Sequence, residues 1–340
     1  MITIGIIGAG RIGKVHAASI SSRIKNAKVK TIADPFINDE TTAWASGLGI
    51  ALVNDYQEIL ANQEIDAVLV CSSTDTHSPI SIAAIQAGKH VFCEKPIDHD
   101  VEKIKQVMQA LEQANVKYQV GFNRRFDHNF EAVQRAVADG KIGEPQIIRI
   151  TSRDPEPPPL EYVKVSGGLF LDLTIHDFDM VRFLAGCDAV EVYAAAAVLV
   201  DSEIGEAGDV DTAVITLKME NGAIAVIDNS RKAVYGYDQR AEVFGSKGMV
   251  VNANDTNSNA IISTVDGIKG ENPLYFFLER YMDSYAKIVQ CFVDAIEQDT
   301  EPPLGVIDGL KPVLMGLAAK KSFEEGRPVK IAEIEQEYLR

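Results

Sequence analysis

The chain has 340 residues, 46% of them apolar and 24% charged, with a formal net charge of −16. That length suits two domains, and the apolar content is enough for two cores. So acidic a surface repels phosphate backbones and anionic membranes, which excludes nucleic acid and membrane as expected partners and leans towards a neutral substrate.

In chain order, the first 120 residues alternate strand and helix. Ile2–Ile7 is a short apolar run ending in glycines, followed by a helix-period stretch from about Ile12 to Ile24. Val29–Ala33 reads as strand, Asp39–Ser46 and Tyr56–Leu60 as helices, and Ala67–Cys71 as a buried strand. A helix from Pro79 to Ala87, a strand His90–Cys93, a helix Val101–Ala114 and a strand Lys117–Val120 complete the pattern. Apolar strands alternating with amphipathic helices predict a doubly wound parallel sheet covered on both faces.

Beyond about Gly121 the pattern changes. A helix near Phe130–Ala138 precedes strand-like segments at Gln146–Thr151, Ala189–Val200, Thr212–Met219, Ala223–Asn229, Arg240–Phe244, Met249–Asn252 and Ala260–Ser263. Turn residues such as Glu220-Asn221-Gly222 separate them, predicting an α+β domain with a large, open, mostly antiparallel sheet. Helices at about Leu274–Glu297 and Gly309–Glu325 follow. The expected division is residues 1–121 as a dinucleotide-binding domain and 122–340 as a substrate-binding and oligomerisation domain, with the last helices able to pack back on the first. The run Asp154-Pro155-Glu156-Pro157-Pro158-Pro159 can be neither helix nor central strand. It is a stiff loop, either a cover for a site or a surface spacer.

The loop Gly8-Ala9-Gly10-Arg11-Ile12-Gly13 lies between the first strand and the first helix, the context a phosphate cradle needs. Gly8 permits the turn, Gly10 lets backbone approach a pyrophosphate, and Gly13 lets helix pack closely on strand. The helix start adds free N–H groups and a positive dipole end. Asp34 ends the second strand about 20 residues further on, where a carboxylate binds ribose hydroxyls and repels a 2′-phosphate. NAD is therefore expected over NADP. Arg11 either pairs with a phosphate or is solvated. Ser72, Thr74 and His77, after the Ala67–Cys71 strand, are candidate contacts to the far half of the cofactor or caps of the next helix.

Two further stretches carry chemistry. Glu94-Lys95-Pro96 follows an apolar strand, and Gly167-Gly168-Leu169-Phe170-Leu171-Asp172-Leu173-Thr174-Ile175-His176-Asp177-Phe178-Asp179 sets ionisable groups among large apolar ones. On a helix, Asp172 and His176 share a face, and a carboxylate there fixes an imidazole's tautomer. Oxidising a secondary alcohol needs a base for the hydroxyl proton, and His176 suits that role. Lys95 can hydrogen-bond the developing oxygen anion, and Asp172 either orients His176 or grips a second hydroxyl.

Together the glycine loop, Glu94-Lys95-Pro96 and Gly167-Gly168-x-x-x-Asp172-x-x-x-His176-Asp177 resemble the Gfo/Idh/MocA family of oxidoreductases, across essentially the whole chain. The segments 121–127, 152–155 and 235–238 draw the resemblance towards its inositol-oxidising members. It implies Lys95, Asp172 and His176 as a catalytic trio. It also implies a cofactor site of Gly8, Gly10, Arg11, Ile12, Gly13, Asp34, Ser72, Thr74, His77, Glu94 and Lys95. Substrate contacts would come from Lys95, Asn123, Arg124, Asp154, Asp172, His176, Asp179 and Tyr235. The implied reaction is NAD-dependent oxidation of a ring hydroxyl of a neutral polyol, myo-inositol first, giving 2-keto-myo-inositol (scyllo-inosose). The alternatives are scyllo-inositol, a hexose such as glucose, and a catalytically idle NAD-binding regulator. The implied assembly is a homo-oligomer, a tetramer, built on the open sheet.

No His-x-x-x-His or paired-cysteine spacing occurs, so no metal is expected. Cys71, Cys93, Cys187 and Cys291 read as reduced thiols of a cytoplasmic protein. No apolar run reaches the roughly 18–20 residues of a membrane helix, and the N-terminal run, with no basic residues before it, reads as strand rather than signal peptide.

Overall fold

The computed structural model describes residues 1–339. The chain forms two compact units, each drawn from two stretches: Met1–Phe126 with Met282–Lys311, and Asp127–Tyr281 with Pro312 onward.

In the first unit six parallel strands form one sheet: β1 (Ile2–Ile7), β2 (Ala27–Ala33), β3 (Ala51–Val53), β4 (Ala67–Val70), β5 (His90–Cys93) and β6 (Tyr118–Val120). Their order is β3-β2-β1-β4-β5-β6. The order reverses between β1 and β4, so the loops leaving these two strands flank a crevice at one end of the sheet. Ala67, Val68, Leu69 and Val70 are all completely buried. A strand without alternation is what helices on both faces produce. The connecting helices are Arg11–Arg23, Asp39–Gly47, Tyr56–Ala61, Thr74–Gln86 and Val101–Glu112. Asn38, Asp55 and Asp100 cap three of them through their side-chain oxygens. The Met282–Gln298 helix belongs to this unit: Tyr285, Ile288, Val289, Phe292 and Val293 form a buried stripe at helical spacing. The Gln119 side chain donates to the Ile288 carbonyl at 2.9 Å.

Two local expectations shift, and one strand went unread. The helix expected from Pro79 begins at Thr74, with Pro79 inside it. β3 is a three-residue edge strand too short to carry a pattern. The helix expected over 274–297 is broken at Tyr281, where Arg280 and Tyr281 both turn inward and are buried.

The second unit is a seven-stranded sheet: β7 (Pro145–Arg153), β8 (Ala189–Ala197), β9 (Thr212–Met219), β10 (Ile224–Ser230), β11 (Asp238–Gly245), β12 (Gly248–Val251), and, after a small hairpin of β13 (Ile262–Thr264) and β14 (Gly267–Lys269), the short β15 (Val329–Lys330). The order is β12-β11-β7-β10-β9-β8-β15, with β7 and β10 parallel and the other pairs antiparallel. Alternation is plain in β9: Ala213, Ile215, Leu217 and Met219 are buried while Val214 and Lys218 are exposed. One face is covered, with the Thr174–Ala185 helix against β7 and the His128–Ala138 helix against β11. The other face is open. The proline run at 155–159 has no regular structure.

Candidate active site

The glycine loop joins β1 to the Arg11–Arg23 helix. Gly8 has φ +105, and a Cβ there would lie 2.5 Å from the Cys71 carbonyl oxygen, so only glycine fits beside the end of β4. A Cβ on Gly13 would lie 2.0 Å from the Gly8 carbonyl oxygen. Helix and loop are therefore in backbone contact. Gly10 differs, since a Cβ there would meet nothing within 4 Å. The loop folds tightly at its two ends and leaves open space at the middle glycine, where the start of the helix presents its N–H groups. This is the form a pyrophosphate requires. Arg11 is exposed at that helix start, and Ile12 is half-buried.

Asp34, at the end of β2, is tied to the same loop. One carboxylate oxygen accepts from the Ala9 N–H at 2.7 Å and the other from the Phe36 N–H at 2.8 Å. It holds the loop, and a carboxylate keeps further lone pairs for hydroxyl donors. Beyond β4, the Ser72 and Thr76 hydroxyls bond each other at 2.6 Å, and Thr74 is half-buried in the first turn of its helix. His77 is buried: its ring nitrogens lie 2.8 Å from the Pro96 carbonyl and 3.0 Å from the Ser72 carbonyl. It is a strut between two loops, a position the sequence did not reveal.

Glu94-Lys95-Pro96 leaves β5 at the same end of the sheet. The Glu94 carboxylate meets the buried ring of His16 at 2.6 Å. A Cβ on Gly121 would lie 2.8 Å from that carboxylate, so the strand leaving β6 needs glycine there. Lys95 is half-buried. Asn123 and Arg124 are buried in the short turn that follows β6, with the Asn123 amide 3.4 Å from the Ser284 hydroxyl.

In the second unit, Gly167 and Gly168 both have positive φ, and a Cβ on Gly168 would meet the Asp209 carboxylate at 2.7 Å. Asp209 accepts from the Leu169 N–H at 3.0 Å and so caps the Gly168–Asp172 helix. That helix ends at Asp172, and Thr174–Ala185 begins after Leu173, so Asp172 and His176 sit on consecutive helical segments. Asp172 is held by two groups outside the motif: the Tyr162 hydroxyl donates to it at 2.9 Å and Arg231 at 3.0 Å. Arg231 is 3% exposed and also reaches Asp154 at 3.4 Å, drawing the two carboxylates to one guanidinium. Burial and the adjacent Asp172 raise the Tyr162 hydroxyl well above its ordinary value, keeping it a donor.

His176 is half-buried, and Asp177 and Asp179 are buried. Asp177 accepts from Asn229 at 2.8 Å, and Thr174 donates to the same Asn229 at 2.6 Å. The helix carrying His176 is thereby fixed to β10 by a buried polar cluster. Tyr235 lies elsewhere. Its hydroxyl donates to Asp238 at 2.6 Å and accepts from Arg153 at 3.2 Å, and Arg153 pairs with Asp228. Asp228 and Asn229 are successive strand residues and point to opposite faces. Tyr235 therefore belongs to the open face, beside a depression of about 350 Å³ that Arg153 and Asp228 also line.

Arg231, Tyr162, Asn229, Asp209 and His16 stand in no motif, and nothing in the linear sequence marked them. Asp127, His128 and Asp255 also gather within metal-binding distance, but Arg280 lies among them and pairs with both carboxylates.

A switch point in the strand order, a glycine loop open at its middle residue and a carboxylate at the end of β2 are the features of a dinucleotide-dependent oxidoreductase. Residues 2–122 match the model of the oxidoreductase family with NAD-binding Rossmann fold, and residues 130–251 match the GFO/IDH/MocA C-terminal domain. The chain belongs to the Gfo/Idh/MocA family, with an NAD-binding Rossmann domain. It is 48% identical to a myo-inositol 2-dehydrogenase of Thermotoga maritima, over 97% of this chain and 99% of that one. A crystal structure of a probable dehydrogenase from Thermotoga maritima superposes with a TM-score of 0.96 at 48% identity, covering 98% of this chain and 100% of that one. Scyllo-inositol dehydrogenase from Lactobacillus casei, crystallised with NAD(H) and scyllo-inositol, superposes with a TM-score of 0.90 at 33% identity, covering 98% and 99%.

Proposed function

We propose that the protein oxidises myo-inositol to 2-keto-myo-inositol, with NAD as the electron acceptor. The observation that carries this reading is the 48% identity to a myo-inositol 2-dehydrogenase across 97% of the chain, against 33% to the scyllo-inositol enzyme. The glycine loop fits the cofactor: Gly10 leaves the space a phosphate needs, and Asp34, which holds the loop, is assigned to the ribose hydroxyls. Bound NAD supplies a hydride acceptor at nicotinamide C4.

The chain's own residues do the rest. His176 takes the hydroxyl proton, since an imidazole's ordinary pKa lies near working pH. Lys95 donates a hydrogen bond to the oxygen as it becomes a ketone. Asp172, held by Arg231 and Tyr162, keeps a fixed carboxylate for a neighbouring hydroxyl or for His176. Asn123, Arg124, Asp154 and Asp179 are the further polar groups assigned to the ring, while Tyr235, bonded on the open face, has the weakest support among them. Replacing His176 with Ala tests the assignment. Turnover falls at least about 100-fold, the usual worth of a general base, with NAD affinity by calorimetry unchanged. Wild-type turnover in that variant removes His176 as the base.

We also assign self-association, as a tetramer, to the open face of the seven-stranded sheet. Ile147, Val214, Ile224, Phe244, Met249 and Val251 are exposed there, an apolar surface of the kind that marks an interface. A cytoplasmic location is supported by four cysteines that are all reduced thiols. Among the described residues, no helix is long and apolar enough to cross a membrane.

A further inference from the structure

Two buried histidines converge on the three-residue segment that carries Lys95. His77, in the Thr74–Gln86 helix, is 2% exposed, and both its ring nitrogens face backbone carbonyls, Pro96 at 2.8 Å and Ser72 at 3.0 Å. A neutral imidazole has one N–H, so it could satisfy one carbonyl while turning a lone pair on the other; only the doubly protonated ring donates to both. His16, in the helix that follows the glycine loop, is fully buried, and its Nε2 lies 2.6 Å from Glu94 Oε1. Its ring is set edge-on against Phe92 and Tyr285, with centroids 5.3 and 5.6 Å away. One histidine thus fixes the residue before Lys95 by its side chain, and the other fixes the residue after it by its backbone. Both come from helices whose first turns lie at the dinucleotide loops.

We propose that His16 and His77 are positioning residues for Lys95: His16 anchors Glu94, and His77, as an imidazolium, anchors Pro96, so that the Lys95 ammonium is held in register with the cofactor loops. The proposal rests on the reading of Lys95 as a catalytic residue. Both rings are buried and neither is assigned a contact to substrate. Between them they remove the backbone freedom on each side of Lys95, and displacement of a catalytic group by about 1 Å is enough to cost about 100-fold in rate. Burial opposes charge on the His77 ring, but the Cys93 sulfur of β5 beside it and the two carbonyls outweigh burial, raising the group to about 9. The imidazolium is therefore the resting form at neutral pH.

The test combines NMR with a mutant cycle in the intact protein. With six histidines in the chain, selective nitrogen-15 labelling resolves the ring nitrogens, with His77→Gln supplying the assignment. His77 is expected to show both nitrogens protonated at neutral pH and to titrate near 9. A neutral His77 ring at pH 7 overturns the clamp, whatever the variants' turnover. His16→Gln and His77→Gln are each expected to lower kcat by about 10- to 100-fold, with KM for the polyol and Kd for NAD changed by less than about threefold. Those losses are expected to vanish when the same changes are made in Lys95→Ala, whose residual turnover is read by long NADH accumulation. Losses that persist in full in that background, or kcat within about twofold of wild type in both single variants, overturn the proposal while leaving Lys95 its role. Full turnover in Lys95→Ala alone instead removes the reading of Lys95 on which the proposal rests.

Discussion

At the scale of single residues, the site is a set of charges fixed by partners distant in sequence. Asp172 is held by Arg231 and Tyr162, Asp34 by two backbone N–H groups, and Glu94 by His16. The motif residues were legible because each chemistry demands a residue type at a fixed spacing. Their partners were not, because a buried salt bridge such as Arg231–Asp172 joins positions that nothing in the linear sequence connects. His77 illustrates the limit: its place after β4 suggested a cofactor contact, while both ring nitrogens are engaged by carbonyls. Its protonation has a consequence for stability. The folded value of about 9 lies above the ordinary histidine value of about 6.5. The charged ring therefore stabilises the fold fully below about pH 6.5, and that contribution is lost as pH rises through about 9, on the order of 3 kcal/mol in all. Comparing melting temperatures of wild type and His77→Gln between pH 6 and 9.5 checks it. The gap between them narrows as pH rises, and a constant gap would show that the ring is neutral throughout.

At the scale of elements, regular periodicity gave true guidance and local chemistry moved the ends. The Thr212–Met219 strand lies where its alternation put it, as does the buried run of β4. The helix expected at Pro79 starts at Thr74, since a proline early in a helix removes only one N–H bond and the preceding residues can form the first turn. The break at Tyr281 could not be read, because it depends on Arg280 turning inward to Asp127. The Thr174–Ala185 helix, which carries His176, is fixed to β10 by the Asn229 amide and the Asp177 carboxylate. Replacing Asn229 with Leu removes a charge-assisted hydrogen bond to that buried carboxylate and costs about 2–3 kcal/mol. A fall of about 5–10 °C in melting temperature is expected, together with lower kcat. An unchanged melting temperature would mean that the Asn229 contact does not help to hold the helix.

At the scale of the molecule, two units divide the labour between a cofactor sheet and a sheet with one covered face. The fold class was legible because strand–helix alternation and two-residue alternation are separate signals. That late helices could return to the first unit was legible, but which one does so was not, since the place of the Met282–Gln298 helix involves Asn26 and Gln119 as partners. The open face, with Phe244 43% exposed at its edge, suits a second copy of the chain. Native mass spectrometry is expected to give a tetramer, and Phe244→Asp a smaller species; a wild-type monomer at micromolar concentration would contradict the assignment. The central claim is oxidation of myo-inositol, and one measurement addresses it most directly: formation of NADH by the purified protein with a panel of inositols and hexoses, with the product identified by NMR. NADH and 2-keto-myo-inositol are expected from myo-inositol, with slower turnover of scyllo-inositol and glucose and little reduction of NADP. Tight NAD binding with no reduced cofactor from any polyol would contradict that claim and leave a dinucleotide-binding regulator in its place.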